Sequence, residues 1–329
     1  MRSTRLRLRI SSSQVGMRLD RALAQWLPGE LGRDLSKSAI RRLVMAGAVL
    51  LDGRPVRRPG LPLQAGHRLE ARIDLARTFP GPGVVEGGPA IEILYEDAWL
   101  LAVAKPAGLL VHATADRRRP DLFTLLRDAL SARSGGRPVS EPYLGLHHRL
   151  DVDTSGVMLF TIDPTANASL ARAFADHQVE KVYRALVARS AVVLPDTWIE
   201  RTPLALAGAG RRARMRAAAG GLTAETAFTI RQRLGAALLI EARPAGGRKH
   251  QIRAHLAIGG LPILGDTRYG GAETIAGAPV GRVMLHAWAL RLRHPVTGTP
   301  LEIGCPYPDD FRGLLTALGR SLDTPHASR

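Results

Sequence analysis

The chain contains the sequence His148-Arg149-Leu150-Asp151-Val152-Asp153-Thr154-Ser155-Gly156, which runs directly into Val157-Met158-Leu159-Phe160-Thr161-Ile162. The length and apolar composition of the second segment predict a buried strand. A carboxylate at the mouth of a buried strand costs free energy unless a charged or polar group pairs with it. Asp151 therefore has either a structural partner or a chemical task, and we favour the chemical task.

The composition of the chain indicates a polyanionic partner. The 329 residues carry a formal net charge of +17 and a pI near 11.3, and such a surface attracts nucleic acid. No apolar run approaches the ~20 residues that span a bilayer. Cys305 is the only cysteine, which excludes an internal disulfide and a thiolate metal cluster. With no secretory signal either, the sequence predicts a cytoplasmic protein that binds no membrane.

The first residues are interpreted as a strand rather than as an organellar leader. Residues 1–19 contain several arginines and no acidic residue, which superficially resembles a transit peptide. From Arg5 to Ile10, however, arginine alternates with leucine or isoleucine. That alternation is the period of a strand with one basic face, so we expect a strand here.

Residues 1–74 predict a small basic domain. They hold 15 Lys+Arg against 6 Asp+Glu, a net charge of +9 in under a quarter of the chain. The apolar spacing predicts two helices, a hairpin and a closing strand, in that order. These elements fall at Leu19–Leu27, Ser36–Gly47, the turn Asp52-Gly53 and 68–73.

The remainder of the chain predicts a linker at 75–90, a larger domain at 91–312 and a tail at 313–329. The linker is rich in proline and glycine. The larger domain mixes strands and helices without regular alternation, which favours the α+β class over a doubly wound sheet. Basic runs at 117–119 and 211–216 are either phosphate contacts or surface loops. Strands are expected near 91–104, 157–162, 181–189, 224–231, 236–243 and 283–293, and helices near 121–132, 165–176 and 249–258.

A series of segments, in order along the chain, resembles the RluA family of pseudouridine synthases. The opening sequence resembles the family's HRLDxxTSG signature, and Lys181-Val182-Tyr183-Arg184-Ala185-Leu186-Val187 is similar to its KxYxAxV strand. Each match alone is weak, but the ordered set is specific. The other matching segments are Tyr95-Glu96-Asp97, 100–109, 247–256, 265–270, Leu285-His286-Ala287 and His294-Pro295.

The resemblance implies both a fold and a reaction. The fold is a small RNA-binding domain, of the type first described in a small-subunit ribosomal protein, linked to a mainly antiparallel sheet domain with a central active-site cleft. The reaction is the isomerisation of uridine to pseudouridine in RNA, which needs neither metal nor cofactor. Lys37, Arg41 and Arg42 are then candidate RNA contacts of the first domain, with a solvated basic face as the alternative.

The resemblance assigns catalytic roles to Asp151, Arg253 and Tyr183. Asp151 either attacks the anomeric carbon of the ribose or removes a ribose proton to form a glycal, and both routes stay open. Arg253 would pair with Asp151 and hold it charged, and a purely structural salt bridge is the alternative. Tyr183 would stack on the uracil and help to move its proton, although core packing is the commoner role of a strand tyrosine. Arg149 would fill the space of a flipped base or hold the RNA backbone.

His148, His250 and His255 are not interpreted as metal ligands. His250 and His255 are five residues apart, so on one helix their side chains diverge by roughly 140°. Helical metal sites use spacings of three or four residues. We expect these histidines to orient loops through hydrogen bonds.

Arg248 and Lys249 are further candidate RNA contacts, because a Gly246-Gly247-Arg248-Lys249 loop can form a backbone nest for a phosphate. A simple turn capped by solvent is the alternative. Lys249 stands where the family usually has threonine, so the substrate's identity does not transfer with the resemblance.

Three hypotheses follow for the function. The first is a monomeric enzyme that acts on structured RNA, with large-subunit ribosomal RNA favoured over transfer RNA because family members of this architecture commonly act there. The second is a non-catalytic RNA-binding factor in ribosome assembly, against which the intact Asp151, Tyr183 and Arg253 argue. The third, a metal-dependent nuclease or hydrolase, lacks a convincing set of ligands.

Overall fold

The computed structural model of the chain describes residues 4–31, 40, 43–44, 47–73, 91–112, 120–133, 142–189, 194–208 and 213–319. The chain separates into two compact units, one formed by Met1–Gly83 with Glu96–Trp99 and the other by Val84–Tyr95 with Leu100–Arg329. The predicted linker at 75–90 lies outside the described residues, so the limits of domains and linker stay predictions.

The N-terminal unit is a four-stranded antiparallel sheet packed against helical segments. Its elements are β1 (Thr4–Arg9), α1 (Leu19–Leu31), β2 (Val49–Leu51), β3 (Arg54–Pro55) and β4 (Arg68–Ile73). The strand order is β1-β4-β2-β3, and the apolar stripe of α1 is buried against the inner face of the sheet. The predicted first strand and first helix are therefore confirmed.

The structure describes three residues of the predicted second helix of this unit. Ile40, Leu43 and Val44 are helical and buried in the same core, as the apolar spacing predicts. Ser36, Lys37, Arg41 and Arg42 lie outside the described residues, so their assignments stay predictions. The predicted hairpin is present, and its two turn residues Asp52 and Gly53 have φ angles of 50° and 82°, as a tight two-residue turn requires.

A ten-stranded sheet forms the frame of the larger unit, and two small hairpins flank it. The strands are β5 (Glu92–Glu96), β6 (Leu100–Lys105), β7 (Gly145–Leu146), β8 (Ser155–Thr161), β9 (Glu180–Ala188), β10 (Thr197–Glu200), β11 (Leu204–Ala207), β12 (Arg214–Ala217), β13 (Thr226–Leu234), β14 (Ala237–Pro244), β15 (Thr274–Ile275), β16 (Ala278–Pro279), β17 (Leu285–Arg293) and β18 (Pro300–Gly304). The sheet has the order β10-β13-β14-β9-β17-β8-β6-β5, with β18 on β17 and β7 on β8, and β11–β12 and β15–β16 are the hairpins.

Four helices are described in the larger unit: α2 (Leu122–Arg133), α3 (Pro164–Ala175), α4 (Gln251–Ile258) and α5 (Asp309–Ala317). The predicted α+β class with a mainly antiparallel sheet is confirmed. Helix α5 spans position 312, where the sequence predicts the domain to end, and Phe311, Leu314 and Leu315 on its apolar side are buried. Among the described residues, no helix is long and apolar enough to cross a membrane.

The parallel pair of β8 and β17 at the middle of the sheet positions the Asp151 segment. All seven residues of β8 are buried, and His286 and Ala287 of β17 pair with Ser155 and Gly156. Gly156 has a φ of 126°, and a Cβ there would overlap the backbone of Ala287. Glycine is therefore required for β8 to approach β17, and this approach places the turn before β8 at the centre of the sheet.

Candidate active site

Asp151 begins a tight turn that leads into β8. The backbone N–H of Thr154 donates to the carbonyl oxygen of Asp151 at 3.1 Å, which closes the turn. The side chain of Asp151 is 19% exposed, so its carboxylate reaches a cleft without being fully solvated. The turn thus presents one carboxylate from a rigid strand end.

Lys105, at the end of β6, binds the backbone of this turn. Its Nζ donates to the carbonyl oxygens of Pro106 and Leu109 at 2.8 Å each and to that of Val152 at 3.1 Å. Burial lowers the pKa of Lys105 to about 7, although the negative charges of Asp153 and Asp151 act in the opposite direction and raise it. Three carbonyl acceptors use all three protons of an ammonium group, so this arrangement needs the charged form.

Arg282 and His286 hold the other end of the turn. Arg282 Nη1 donates to the carbonyl oxygen of Asp153 at 3.4 Å, and its Nη2 donates to Ser155 Oγ at 3.3 Å. His286 Nε2 must donate to the carbonyl oxygen of Cys305 at 3.0 Å, so its Nδ1 accepts from the Ser155 hydroxyl at 2.9 Å. Burial lowers the pKa of His286 to about 4, in keeping with this neutral, single tautomer.

Arg253, on α4, lies between two carboxylates. Its Nη1 donates to Asp151 Oδ2 at 3.0 Å, and its Nε and Nη2 donate to Asp266 at 2.6 and 2.8 Å. The side chains of Arg253 and Asp266 are 5% and 1% exposed. Burial alone would lower the pKa of Arg253, but hydrogen bonds and the charge of Asp266, with those of Asp151, raise it overall. Asp266 therefore fixes the guanidinium, and the guanidinium orients Asp151.

His250 and Tyr269 complete the surroundings of this ion pair. The Tyr269 hydroxyl accepts from the backbone N–H of Met215 at 2.8 Å, which leaves its own proton for His250 Nδ1 at 3.1 Å. The ring proton of His250 then lies on Nε2, 3.8 Å from Asp151 Oδ2. Burial lowers the pKa of His250 to about 4, so at neutral pH it is a polar, uncharged neighbour of Asp151.

Tyr183, in the middle of β9, lines the same cleft. Burial raises the pKa of its phenol, and the negative charge of Asp151 raises it further. The hydroxyl is therefore held in its protonated form. A neutral phenol beside Asp151 can stack on a base and donate a hydrogen bond, but it does not supply a phenolate.

The cleft between these residues has a volume of about 500 Å³, which suits one nucleotide. Lys181, whose Nζ donates to the carbonyl oxygen of Gly246 at 2.6 Å, lies in its wall, and burial lowers the pKa of this amine. The cleft is lined by one carboxylate, that of Asp151, and by four cations, which are Arg149, Lys181, Arg248 and Arg253. This balance attracts a phosphate-bearing ligand.

The structure brings together most of the site residues that the sequence predicts. Asp151, Tyr183, Arg253, Arg149 and Arg248 all line the cleft, and the expected Asp151–Arg253 pair is present. Their catalytic and RNA-binding roles stay predictions.

The loop before α4 differs from the backbone nest that its glycines suggest. Lys249 is exposed on this loop but does not line the cleft. The backbone N–H of Arg248 donates to the side chain of Gln251 at 3.1 Å, so the protein itself uses this donor. The loop is therefore capped from within, which favours the simple-turn interpretation.

The three histidines form hydrogen bonds, as predicted. His148 Nε2 accepts from the backbone N–H of Leu159 at 2.9 Å, and His255 bonds to Thr226 and to the carbonyl oxygen of Thr202. Among the residues that the structure describes, no group of histidine, cysteine or acidic side chains could hold a metal.

Sequence reasoning did not assign roles to Lys105, Asp266 and Arg282, which hold Asp151 and its turn in place. Lys105 and Asp266 lie inside segments that carry the family resemblance, so position in a matched motif was the available signal. Arg282 lies between two such segments, and its contacts arise only in the fold.

Two family models match the chain, one described as RNA pseudouridylate synthase over residues 100–258 and one described as S4 domain over residues 17–69. Ribosomal large subunit pseudouridine synthase D of Xanthomonas campestris pv. campestris is 33% identical over 324 residues, covering 94% of this chain and 91% of that protein. The protein of the same name from Xylella fastidiosa is 34% identical over 329 residues, covering 94% of this chain and 91% of that protein.

A solved structure, human RNA pseudouridylate synthase domain containing 4, has a TM-score of 0.58 and 26% identity, covering 70% of this chain and 94% of that chain. A motif set, a fold and near full-length relatives thus agree, and the chain belongs to the RluA-type family of RNA pseudouridine synthases, with an S4 domain before its catalytic domain.

Proposed function

We propose that this protein converts specific uridines of large-subunit ribosomal RNA to pseudouridine in the cytoplasm. Its near full-length relatives from Xanthomonas campestris and Xylella fastidiosa carry the name ribosomal large subunit pseudouridine synthase D. The cleft, lined by four cations and one carboxylate, suits a single nucleotide of such an RNA.

The proposed reaction is an isomerisation with a balanced set of atoms. The bond between N1 of uracil and C1′ of ribose breaks, the base turns, and C5 bonds to C1′. One proton leaves C5 and one is gained at N1, so neither redox change nor net hydrolysis occurs. In one route Asp151 bonds to C1′ as the bond to N1 breaks, and this ester bond breaks when C5 bonds to C1′. In the other route Asp151 takes a ribose proton to form a glycal and returns the proton when C5 bonds to C1′.

The neighbours of Asp151 support both routes. Arg253 Nη1 orients the Asp151 carboxylate through the 3.0 Å contact. The carboxylate is thus already in place before the reaction, and its surroundings need little reorganisation. Tyr183 offers a ring for the uracil and a proton-bearing hydroxyl for the transfer from C5 to N1.

The target base must leave its stack to reach this cleft, at a cost of about a few kcal/mol. Arg149 is exposed at the cleft and two residues from Asp151, so it is placed to occupy the vacated space or to bind the neighbouring phosphate. The observation that carries the proposal is the Asp151 carboxylate, held by Arg253 and faced by Tyr183 in one cleft of nucleotide size.

The test supplies purified protein with unmodified large-subunit ribosomal RNA or with unmodified transfer RNA and measures pseudouridine by mass spectrometry of nuclease digests. We expect product in the ribosomal RNA, and a loss of at least about 1,000-fold in Asp151→Asn. Asp153→Asn is the matched control, because it makes the same change in the same turn at a residue that does not line the cleft. Product in transfer RNA alone would contradict the substrate, and full activity of Asp151→Asn would contradict the assigned carboxylate.

A further inference from the structure

The outward face of strands β1 and β4 carries a dense set of arginines. Alternate residues of the two strands, Leu6, Leu8, Leu69 and Ala71, turn inward to the core. The outward residues pair across the strands as Arg5 with Arg72, Arg7 with Glu70, and Arg9 with Arg68. All five arginines are exposed, and five positive charges against one negative charge leave a net charge of +4 on this face.

Two of these cross-strand pairs place like charges directly opposite each other. Arg5 lies opposite Arg72, and Arg9 lies opposite Arg68. Directly opposed like charges destabilise an antiparallel pair. The free protein thus keeps an arrangement that works against its own stability, and an anion on this face would relieve it.

Glu70 pairs with only two of the five arginines of this face. Its Oε2 accepts from Arg7 Nε at 3.2 Å, and its Oε1 accepts from Arg72 Nε at 2.7 Å. The nearby Asp52 accepts from the backbone N–H of Arg68 at 2.9 Å rather than from its guanidinium. In the described part of the chain, the other three arginines of the face have no carboxylate partner.

The spacing of these arginines suits a chain of phosphates. Residues two apart on one strand lie about 7 Å from each other, and directly opposed residues lie about 5 Å apart. The planar guanidinium binds phosphate oxygens in pairs. We propose that the outward face of β1 and β4 binds the phosphate backbone of the RNA substrate, on the side of the sheet away from the helices of this unit. The proposal rests on the proposed function, which supplies the RNA.

The chemistry of the face favours RNA over a lipid surface. Peripheral binding to a membrane uses apolar side chains that enter the lipid as well as basic ones. Among the described residues of the N-terminal unit, Val15 is the only large apolar side chain that is strongly exposed, and it lies outside both strands. Within β1 and β4 the outward residues are five arginines and one glutamate, with no apolar side chain among them, which fits a polyanion bound by charge.

The test measures how the affinity of the full-length protein for a labelled RNA hairpin depends on salt between about 50 and 200 mM. The variant Arg5→Gln with Arg9→Gln relieves both opposed pairs and removes two charges from the face. The control Arg293→Gln with Arg312→Gln removes two exposed charges from the larger unit, at residues that do not line the cleft. We expect the logarithmic salt slope of the first variant alone to fall by about 1 to 2. Its denaturation midpoint should stay equal or rise, because the opposed charges are gone.

Two further measurements sharpen the result. Glu70→Gln removes the one acidic residue of the face, so RNA affinity should rise while the denaturation midpoint falls. Equal slopes in the wild type and the first variant, or equal losses in both double variants, would overturn the proposal. It would also fail if the first variant lost binding to phosphatidylserine–phosphatidylcholine vesicles while its RNA slope was unchanged. Pseudouridine formation by the wild type is assayed in parallel. If the salt slope of the first variant changes but the wild type forms no pseudouridine, the result contradicts only the proposed function. If the wild type forms pseudouridine but the slope of the variant is unchanged, the result contradicts only the proposed RNA contact of β1 and β4.

Discussion

Arg253 connects Asp151, the proposed catalytic residue, to the buried carboxylate of Asp266. The side chain of Asp266 is 1% exposed and accepts hydrogen bonds from two nitrogens of Arg253. The side chain of Asp151 is 19% exposed and accepts from one nitrogen of Arg253. A carboxylate in a partly solvated cleft would otherwise sample several directions. Because Asp266 fixes the guanidinium of Arg253, and this guanidinium binds Asp151, Asp266 acts as a positioning residue for Asp151.

We expect Asp266→Asn to lower kcat by about 100-fold with little change in KM, since Arg253 loses the partner that fixes its direction. The variant should also lose about 3 kcal/mol of stability, because a buried charge loses its partner. Glu241→Gln is the matched control, since Glu241 is 2% exposed, pairs with Arg184 and Arg231, and does not line the cleft. It should lose stability and keep its kcat. A kcat of Asp266→Asn equal to that of the control would refute the positioning role.

Tyr183→Phe separates the two roles of the tyrosine. The ring remains for stacking, but the hydroxyl that burial keeps protonated is lost. We expect kcat to fall by about 100-fold, the scale of general acid–base catalysis, while RNA affinity changes less than threefold. Single-turnover kinetics with filter binding on the same RNA measures both. An unchanged kcat would show that Tyr183 acts by stacking alone.

At the residue scale, the sequence predicts the pairing of Asp151 with Arg253 but not the residues that hold this pair in place. Asp151 and Arg253 are 102 residues apart, and only a recognised motif set pairs them before the fold is known. Lys105 donates to three carbonyl oxygens, a role that no side-chain pattern reveals because its partners are backbone atoms. Supports of this kind depend on how distant segments meet, so the sequence alone does not identify them.

At the scale of elements, helix α5 is connected through Arg282 to the turn that begins at Asp151. Asp310, in the first turn of α5, accepts from Arg282 Nε and Nη2 at 2.6 and 2.9 Å. The same guanidinium reaches the carbonyl oxygen of Asp153 and the hydroxyl of Ser155. The C-terminal helix therefore restrains the segment that carries Asp151, although it contributes no residue to the cleft.

Asp310→Asn should lower kcat by between about 3- and 30-fold, because the freed Arg282 holds the turn less firmly. Asp309→Asn is a matched control on the same helical turn, since Asp309 is 93% exposed and pairs with Arg312 instead. Steady-state kinetics of the two variants on one RNA makes the comparison. Equal activities would mean that α5 does not act on the turn.

Element prediction succeeded where a single period dominates. The strand at 181–189 and the helix at 165–176 lie within one residue of β9 and α3, because their apolar residues follow one clear pattern. The parallel contact of β8 with β17 was not predicted, since no local pattern encodes which distant strands pair. Helix α5 spans the predicted domain end at 312, and its burial depends on partners that the sequence does not show, so this limit stays a prediction.

At the scale of the whole molecule, buried neutral histidines link stability to pH. His250 and His286 are 8% and 1% exposed, and burial lowers the pKa of each to about 4. Between the ordinary value near 6.5 and that lowered value, the unfolded chain binds protons that the folded chain does not. The free energy of unfolding should therefore fall as the pH is lowered from 7 to 5, by up to roughly 3 kcal/mol per pH unit for the pair.

Urea denaturation at several pH values between 7 and 5 measures this slope. His286→Gln keeps a donor for Cys305 and an acceptor for Ser155 without a titrating ring. It should therefore reduce the slope by up to about 1.4 kcal/mol per pH unit, the share of one histidine. A variant with the wild-type slope would show that His286 is not a source of the pH dependence.

The most direct measurement is pseudouridine mapping of total RNA from cells that lack this protein, complemented with the wild type or with Asp151→Asn. The central claim is that the Asp151 carboxylate, held by Arg253, modifies large-subunit ribosomal RNA. It predicts sites in that RNA that disappear in the deletion and return only with the wild type. Restoration by both proteins, or no lost site at all, would contradict it and would support a role in RNA binding alone.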